Sequence, residues 1–196
     1  MHQNIDSMKQ LITLLLLIPL FSLAQNKKCD YEIDEKTDST SIKVMPQKLM
    51  HEKVFGNSSE FLFFSLANEN GIPYLNIQQL QKSKDFIPTT CISKNSKIII
   101  QLENGKFITL INASNEACSD LNYDDAEKNN LRILSGYYYF TKSNYDEFKN
   151  SPVSLMRIQF GSENKDYVLK ASLVSETLGT TSNPANYFMD YLECIE

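Results

Sequence analysis

The chain has no tryptophan, only two histidines (His2 and His51), only two arginines (Arg132 and Arg157) and six widely scattered glycines among its 196 residues. Each scarcity closes off a class of chemistry. With His51 as the one histidine beyond the opening segment, zinc sites of two or three histidines and the two-histidine facial triad cannot be built. A serine or cysteine nucleophile with His51 as its base stays arithmetically open, yet no G-x-S-x-G elbow surrounds any serine, so His51 reads as a strand histidine. Gly56, Gly71, Gly105, Gly136, Gly161 and Gly179 never cluster, which leaves no phosphate-cradling loop. The net charge is −5 and the basic residues form no patch, so a nucleic-acid partner is disfavoured.

The most informative segment is Met8 to Gln25, MKQLITLLLLIPLFSLAQ. Lys9 precedes an apolar run from Leu11 to Leu23, and Ser22 and Ala24 place small residues at −3 and −1 of a cut before Gln25. The run is interrupted by Pro19 and falls short of the roughly 20 residues that span a bilayer. The expectation is a signal peptide over 1–24 and a single globular domain over 25–196, with no integral membrane segment after cleavage and a periplasmic or secreted location. Gln25 and not cysteine follows the cut, which argues against a lipid anchor. Met1 to Ser7 bring no lysine or arginine, so translation from Met8 is an equally good reading.

Four cysteines, Cys29, Cys91, Cys118 and Cys194, lie beyond that segment, never in a C-x-x-C pair. An even set in an exported chain argues for two disulfides and against zinc. Three connectivities exist. The one favoured joins Cys91 to Cys118, which flank a hairpin, and Cys29 to Cys194 across the termini. Closing the shorter loop contributes about 3.5 kcal/mol in the chain-entropy picture.

Two Asn-Gly dipeptides mark hairpins. In KIIIQLENGKFITLIN, a two-residue type I′ turn at Asn104-Gly105 sets Leu102 against Phe107, Ile100 against Thr109 and Ile98 against Ile111. In EFLFFSLANENGIPYLNIQQL, the same turn at Asn70-Gly71 sets Leu66 against Leu75, Phe64 against Ile77 and Leu62 against Gln79. Pro73 lacks an N–H and places that end of the second strand at a sheet edge. The polar stretch 113–130 reads as a loop. LRILSGYYYFT is strand-like, a short helix near 143–150 has Ser143 as its N-cap, and VSLMRIQF alternates again, leaving room for a local parallel pair. DYVLKASLVSE is strand-like. Asn183 and Pro184 open a final helix with Ala185, Phe188, Leu192 and Ile195 on one stripe. The fold class expected is α+β: a mainly antiparallel sheet built from hairpins, with a C-terminal helix packed on it.

Candidate sites are few. Alternation sends Tyr137 and Tyr139 to one face of their strand and Tyr138 and Phe140 to the other, so one pair can stack on a sugar or a partner while the other fills the core. Asp120, Asn122 and Asp124 have the alternate spacing of oxygen ligands in a calcium loop, but Asp125 stands where that loop needs glycine and Leu131 where it needs a bidentate glutamate. Arg157 is a candidate anion contact. The sequons at Asn57 and Asn112 leave a eukaryotic secreted domain as a further possibility. No cofactor is expected beyond that weak calcium site.

The segments YYYFTKSNYDEFKNSPVSLMRIQF and NPANYFMDYLECIE resemble, over residues 137–196, the C-terminal half of small exported bacterial proteins of no assigned activity. The resemblance implies an exported location and carries no catalytic residue with it. The reading that follows is an exported, non-enzymatic binding or interaction protein with an envelope or extracellular partner. The alternative is an envelope or secreted hydrolase using two carboxylates.

Overall fold

A computed structural model describes residues 29–141 and 144–196. The expected leader over 1–24 and the Ser143 cap lie outside those residues. Among the described residues every strand pairing is antiparallel, and eleven strands join one sheet.

Two long strands form its centre, β4 (Ser58–Glu69) and β5 (Ile72–Ser83). They are joined at Asn70 and Gly71, both with positive φ (52° and 84°), the signature of a type I′ turn. Leu66 then faces Leu75, Phe64 faces Ile77 and Leu62 faces Gln79, and all six are buried. On one side β4 is paired by β1 (Ile33–Lys36) through β2 (Ser41–Val44), and by β3 (Lys48–Phe55). On the other, β5 pairs with β11 (Asn129–Tyr139) along almost its whole length. Thus β5 is an interior strand, and only its Pro73 end runs past the last β11 pair, Tyr74 with Tyr139. Burial of Leu75 and Ile77 on one face leaves a second partner necessary for the backbone, and β11 supplies it.

The second edge of β11 is shared. Its first half takes β10 (Asp120–Asp124), and its last two residues take β8 (Phe107–Asn112). From β8 the sheet continues through β7 (Lys97–Leu102) and β12 (Val153–Gln159) to β13 (Asn164–Val168). The sheet curls back upon itself. Although β13 ends the strand order, the Tyr167 hydroxyl donates to Glu60 on β4 at 3.1 Å. The curl encloses one large cluster that includes Leu62, Phe64, Ile77, Ile98, Ile100, Leu110, Tyr138, Met156 and Ile158.

Three expectations fail here. The Asn104-Gly105 hairpin does not adopt a type I′ turn: only Gly105 has positive φ, and the ladder pairs Gln101 with Phe107 and Ile100 with Ile108. Gly105 N–H donates to the Leu102 carbonyl at 3.0 Å and Leu102 N–H to the Lys106 carbonyl at 2.9 Å, the pattern of a three-residue loop with a glycine bulge. The extra residue turns Ile108 and Leu110 inward and leaves Phe107 and Ile111 exposed. It also keeps Thr109 out of the core, where the type I′ register would have set it against Ile100. The tip is tied from outside its own sequence, by Glu103 N–H to the Pro152 carbonyl and Asn104 N–H to the Ser151 hydroxyl.

The stretch expected as a loop contains β9 (Ala117–Cys118) and β10, the latter a full hairpin arm of β11. No parallel pair forms among the described residues either, because β12 takes β7 and β13 as its neighbours.

Helix content is small, so the α+β description holds only loosely. Helix α1 (Tyr145–Asn150) has Asp146 and Glu147 in its first turn and Lys149 in its last, matching the helix dipole. Helix α2 (Tyr187–Tyr191) is flanked by 3₁₀ turns, Pro184–Asn186 and Leu192–Ile195. Ala185, Phe188, Leu192 and Ile195 are all buried, and the Phe188 ring packs edge-on against Phe140 and tilted against Phe64 and Phe148. Disulfides join Cys29 to Cys194 and Cys91 to Cys118. The second links directly opposed residues of β9 and β6 (Cys91–Ile92). Two disulfides agree with an oxidising compartment. No helix among the described residues is long and apolar enough to cross a membrane.

Candidate functional site

Strand alternation in β11 decides the fate of its tyrosines. Tyr138 points inward and is fully buried, while Tyr137 and Tyr139 point outward and are each 44% exposed. Gly136 sets the strand's depth: a Cβ there would lie 2.4 Å from the Ile92 side chain, so glycine alone lets Ile92 reach the core beside Tyr138. On the neighbouring strand, register places Tyr74 directly across from Tyr139 and Asn76 across from Tyr137. The Tyr74 ring meets Tyr137 edge-on, 5.7 Å between centroids at 75°.

Glu69, Asn70 and Ile72 of the β4–β5 turn and Ala113 complete the lining of a shallow groove of about 520 Å³. Two hydrogen bonds, one of them to a side-chain hydroxyl, hold this wall in place. Ala113 N–H donates to the Tyr137 carbonyl at 2.7 Å, and Tyr137 N–H donates to the Ser114 hydroxyl at 2.8 Å. Partial burial pushes the Tyr74 hydroxyl above its ordinary pKa, and Glu69, Tyr137 and Tyr139 push it further. It stays protonated at neutral pH and can both donate and accept. Tyr137 and Tyr139 were the sequence candidates; Tyr74 was missed, because its place depends on the β5–β11 pairing.

The calcium candidates are arranged differently. Asp120, Asn122 and Asp124 lie at alternate positions of β10, and an extended strand spaces such residues about 6.6 Å apart instead of closing them round an ion. Asp124 Oδ1 accepts the backbone N–H groups of Ala126 and Glu127, at 3.0 and 3.2 Å, which shapes the turn to β11. Among the described residues no three His, Cys, Asp or Glu side chains are grouped to hold a metal ion. Asp124 instead lines a broad depression of about 700 Å³ on the same sheet face, with Phe61, Leu80 and Ile133 at its base.

Arg157 is bound to Asp166 by two 2.6 Å bonds, one from Nε and one from Nη2, across the β12–β13 pair. This fork occupies the guanidinium that an anion would need. Buried Arg132 donates to the carbonyls of Ile87 (3.1 Å) and Ser119 (2.9 Å), clasping the two loops that flank β11.

A second cluster lies within the curl. The Glu60 carboxylate receives Lys165 at 2.7 Å and Gln79 and Tyr167 at 3.1 Å each. Burial alone would raise its pKa, but Lys165, then Gln79 and Tyr167, outweigh that and hold it below the ordinary value. His51 packs edge-on to Tyr167 at 5.1 Å. Its pKa is lowered, first by burial, against the pull of Glu60 and with the help of Lys170, Lys53 and Lys165. Nothing in the local sequence around Glu60 announces this network, whose members come from β3, β4, β5 and β13.

Comparison with known proteins finds no family, no curated protein and no solved structure that matches this chain. The groove and the network therefore rest on their own geometry.

Proposed function

We propose that the chain is an exported, non-enzymatic binding protein, periplasmic or secreted, that takes its ligand in the groove of Tyr74, Tyr137 and Tyr139. The observation that carries this reading is the meeting of three outward tyrosines on one sheet face, where a core would have no use for them. Rigid strands hold all three, and aromatic side chains of low conformational freedom give large contact area at small entropic cost. The disulfides and the leader-like opening segment support the location. Carboxylate hydrolysis has weaker support: Glu60 is held ionised by Lys165, the opposite of the raised-pKa acid that such chemistry requires.

Saturation-transfer NMR against a mixed panel of oligosaccharides, peptides and small amines tests this. The expected result is contact that disappears in the Tyr137→Ser, Tyr139→Ser double variant while the thermal midpoint is kept. Ligands held equally well by that variant would move the function elsewhere.

A further inference from the structure

The groove's charge is as informative as its rings. Among the described residues, three tyrosines and one carboxylate line it, and no lysine or arginine does. A minority of the described carboxylates have basic partners: Glu60 has Lys165, Glu127 has Lys82, Glu147 has Lys106, Asp166 has Arg157 and Glu196 has Lys149. Exposed Glu69 makes no ion pair with a described residue. It projects from the same face of β4 as Ala67, the residue paired with Tyr74.

The ring geometry favours a compact positive centre over a flat neutral one. Tyrosine faces carry the negative lobe of the ring quadrupole. Tyr74 and Tyr137 stand at 75° to each other, so a flat sugar ring can lie parallel to only one of them, whereas a roughly spherical cation can meet both. A metal ion needs six or more oxygens in the calcium case, and the groove supplies one carboxylate. Its volume of about 520 Å³ suits a small organic molecule.

We infer that this groove recognises an organic cation, a quaternary or methylated ammonium group, through the faces of Tyr74, Tyr137 and Tyr139 with Glu69 as counter-charge. The inference rests on the groove being the binding site proposed above. The cation sits against rings it partly desolvates, and Glu69 gives it a charge partner at the rim.

The test uses the whole, disulfide-intact protein with three probes: choline, its neutral isostere 3,3-dimethylbutan-1-ol, and the neutral disaccharide cellobiose. Binding is read by calorimetry and by the ring resonances of Tyr74, Tyr137 and Tyr139. Choline is expected to shift those resonances and to bind about tenfold more tightly than the isostere. Tyr137→Phe is expected to keep binding, because it keeps the ring, and Tyr137→Leu to lose it. Glu69→Gln is expected to weaken choline several-fold and leave the isostere unchanged. Equal binding of isostere and choline overturns the inference in favour of a plain apolar groove. Cellobiose binding at the tyrosines without choline overturns it and leaves the groove as a binding site. Choline without effect on the tyrosines also overturns it, and the ligand panel above then decides the groove's role separately.

Discussion

Two clusters on this molecule are built from the same kinds of residue and end in different states. Inside the curl, Glu60, Tyr167 and Gln79 are gathered with Lys165, so the carboxylate is neutralised by its own chain. On the outer face, Glu69 stands beside Tyr74, Tyr137 and Tyr139 with no ion pair to a described residue. One lysine on β13 makes the difference. The inner cluster spends its hydrogen-bonding capacity on holding distant strands together, whereas the outer one leaves its rings partly exposed and its carboxylate without an ion pair to a described residue. Chemistry that is satisfied within the fold contributes stability, and chemistry left unsatisfied at the surface is free to bind.

The comparison can be broken from the inner side. The largest expected effect follows from Cys29→Ser with Cys194→Ser, which frees a bridge spanning 165 positions. The chain-entropy picture gives a loss of up to about 5 kcal/mol, measurable by urea unfolding. Lys165→Met comes next. It leaves the Glu60 carboxylate enclosed without its counter-ion, at a cost of about 2 to 3 kcal/mol, below the fully buried case because both ends keep some water. The matching change outside, Glu69→Gln, is expected to move stability by less than about 0.5 kcal/mol. Equal effects of these two substitutions would erase the distinction between the clusters.

Gly136→Ala tests the wall between the two faces. The added carbon meets Ile92 and approaches Tyr138, and overpacking of this kind costs about 1 to 3 kcal/mol. Chemical denaturation measures it.

The smallest effect is a slope. His51 has a folded pKa below its unfolded value of 6.5, so as pH falls beneath 6.5 the unfolded chain takes up the proton first and stability declines. The decline is complete once pH passes the folded value. Glu60, also lowered, adds a second loss below its unfolded 4.5. Thermal midpoints of His51→Gln are expected to lack the first decline and keep the second.

How far the sequence reveals this arrangement depends on whether a feature is local. The Asn70-Gly71 register was legible because the turn and both strands lie in one short segment. Its counterpart at Asn104-Gly105 was not, since residues 151 and 152 bind the tip and the core chooses Ile108 over Thr109. Strand β10, with the sequence DLNYD, buries little on either face, so it carries no apolar alternation to announce it. The outward setting of Tyr137 and Tyr139 followed from a period of two, whereas Tyr74 beside them and the partners of Glu60 depend on strand pairings between distant segments.

The shared second edge of β11 has a consequence for testing the proposed groove. Between β10, whose pairing stops at Ile133, and β8, whose pairing starts at Tyr138, the Tyr137 amide is answered by the Ser114 hydroxyl and not by a neighbouring strand. A side-chain oxygen rotates away more readily than a ladder carbonyl. That one amide is thereby a built-in reporter whose deuterium uptake should slow when a guest covers the ring attached to it.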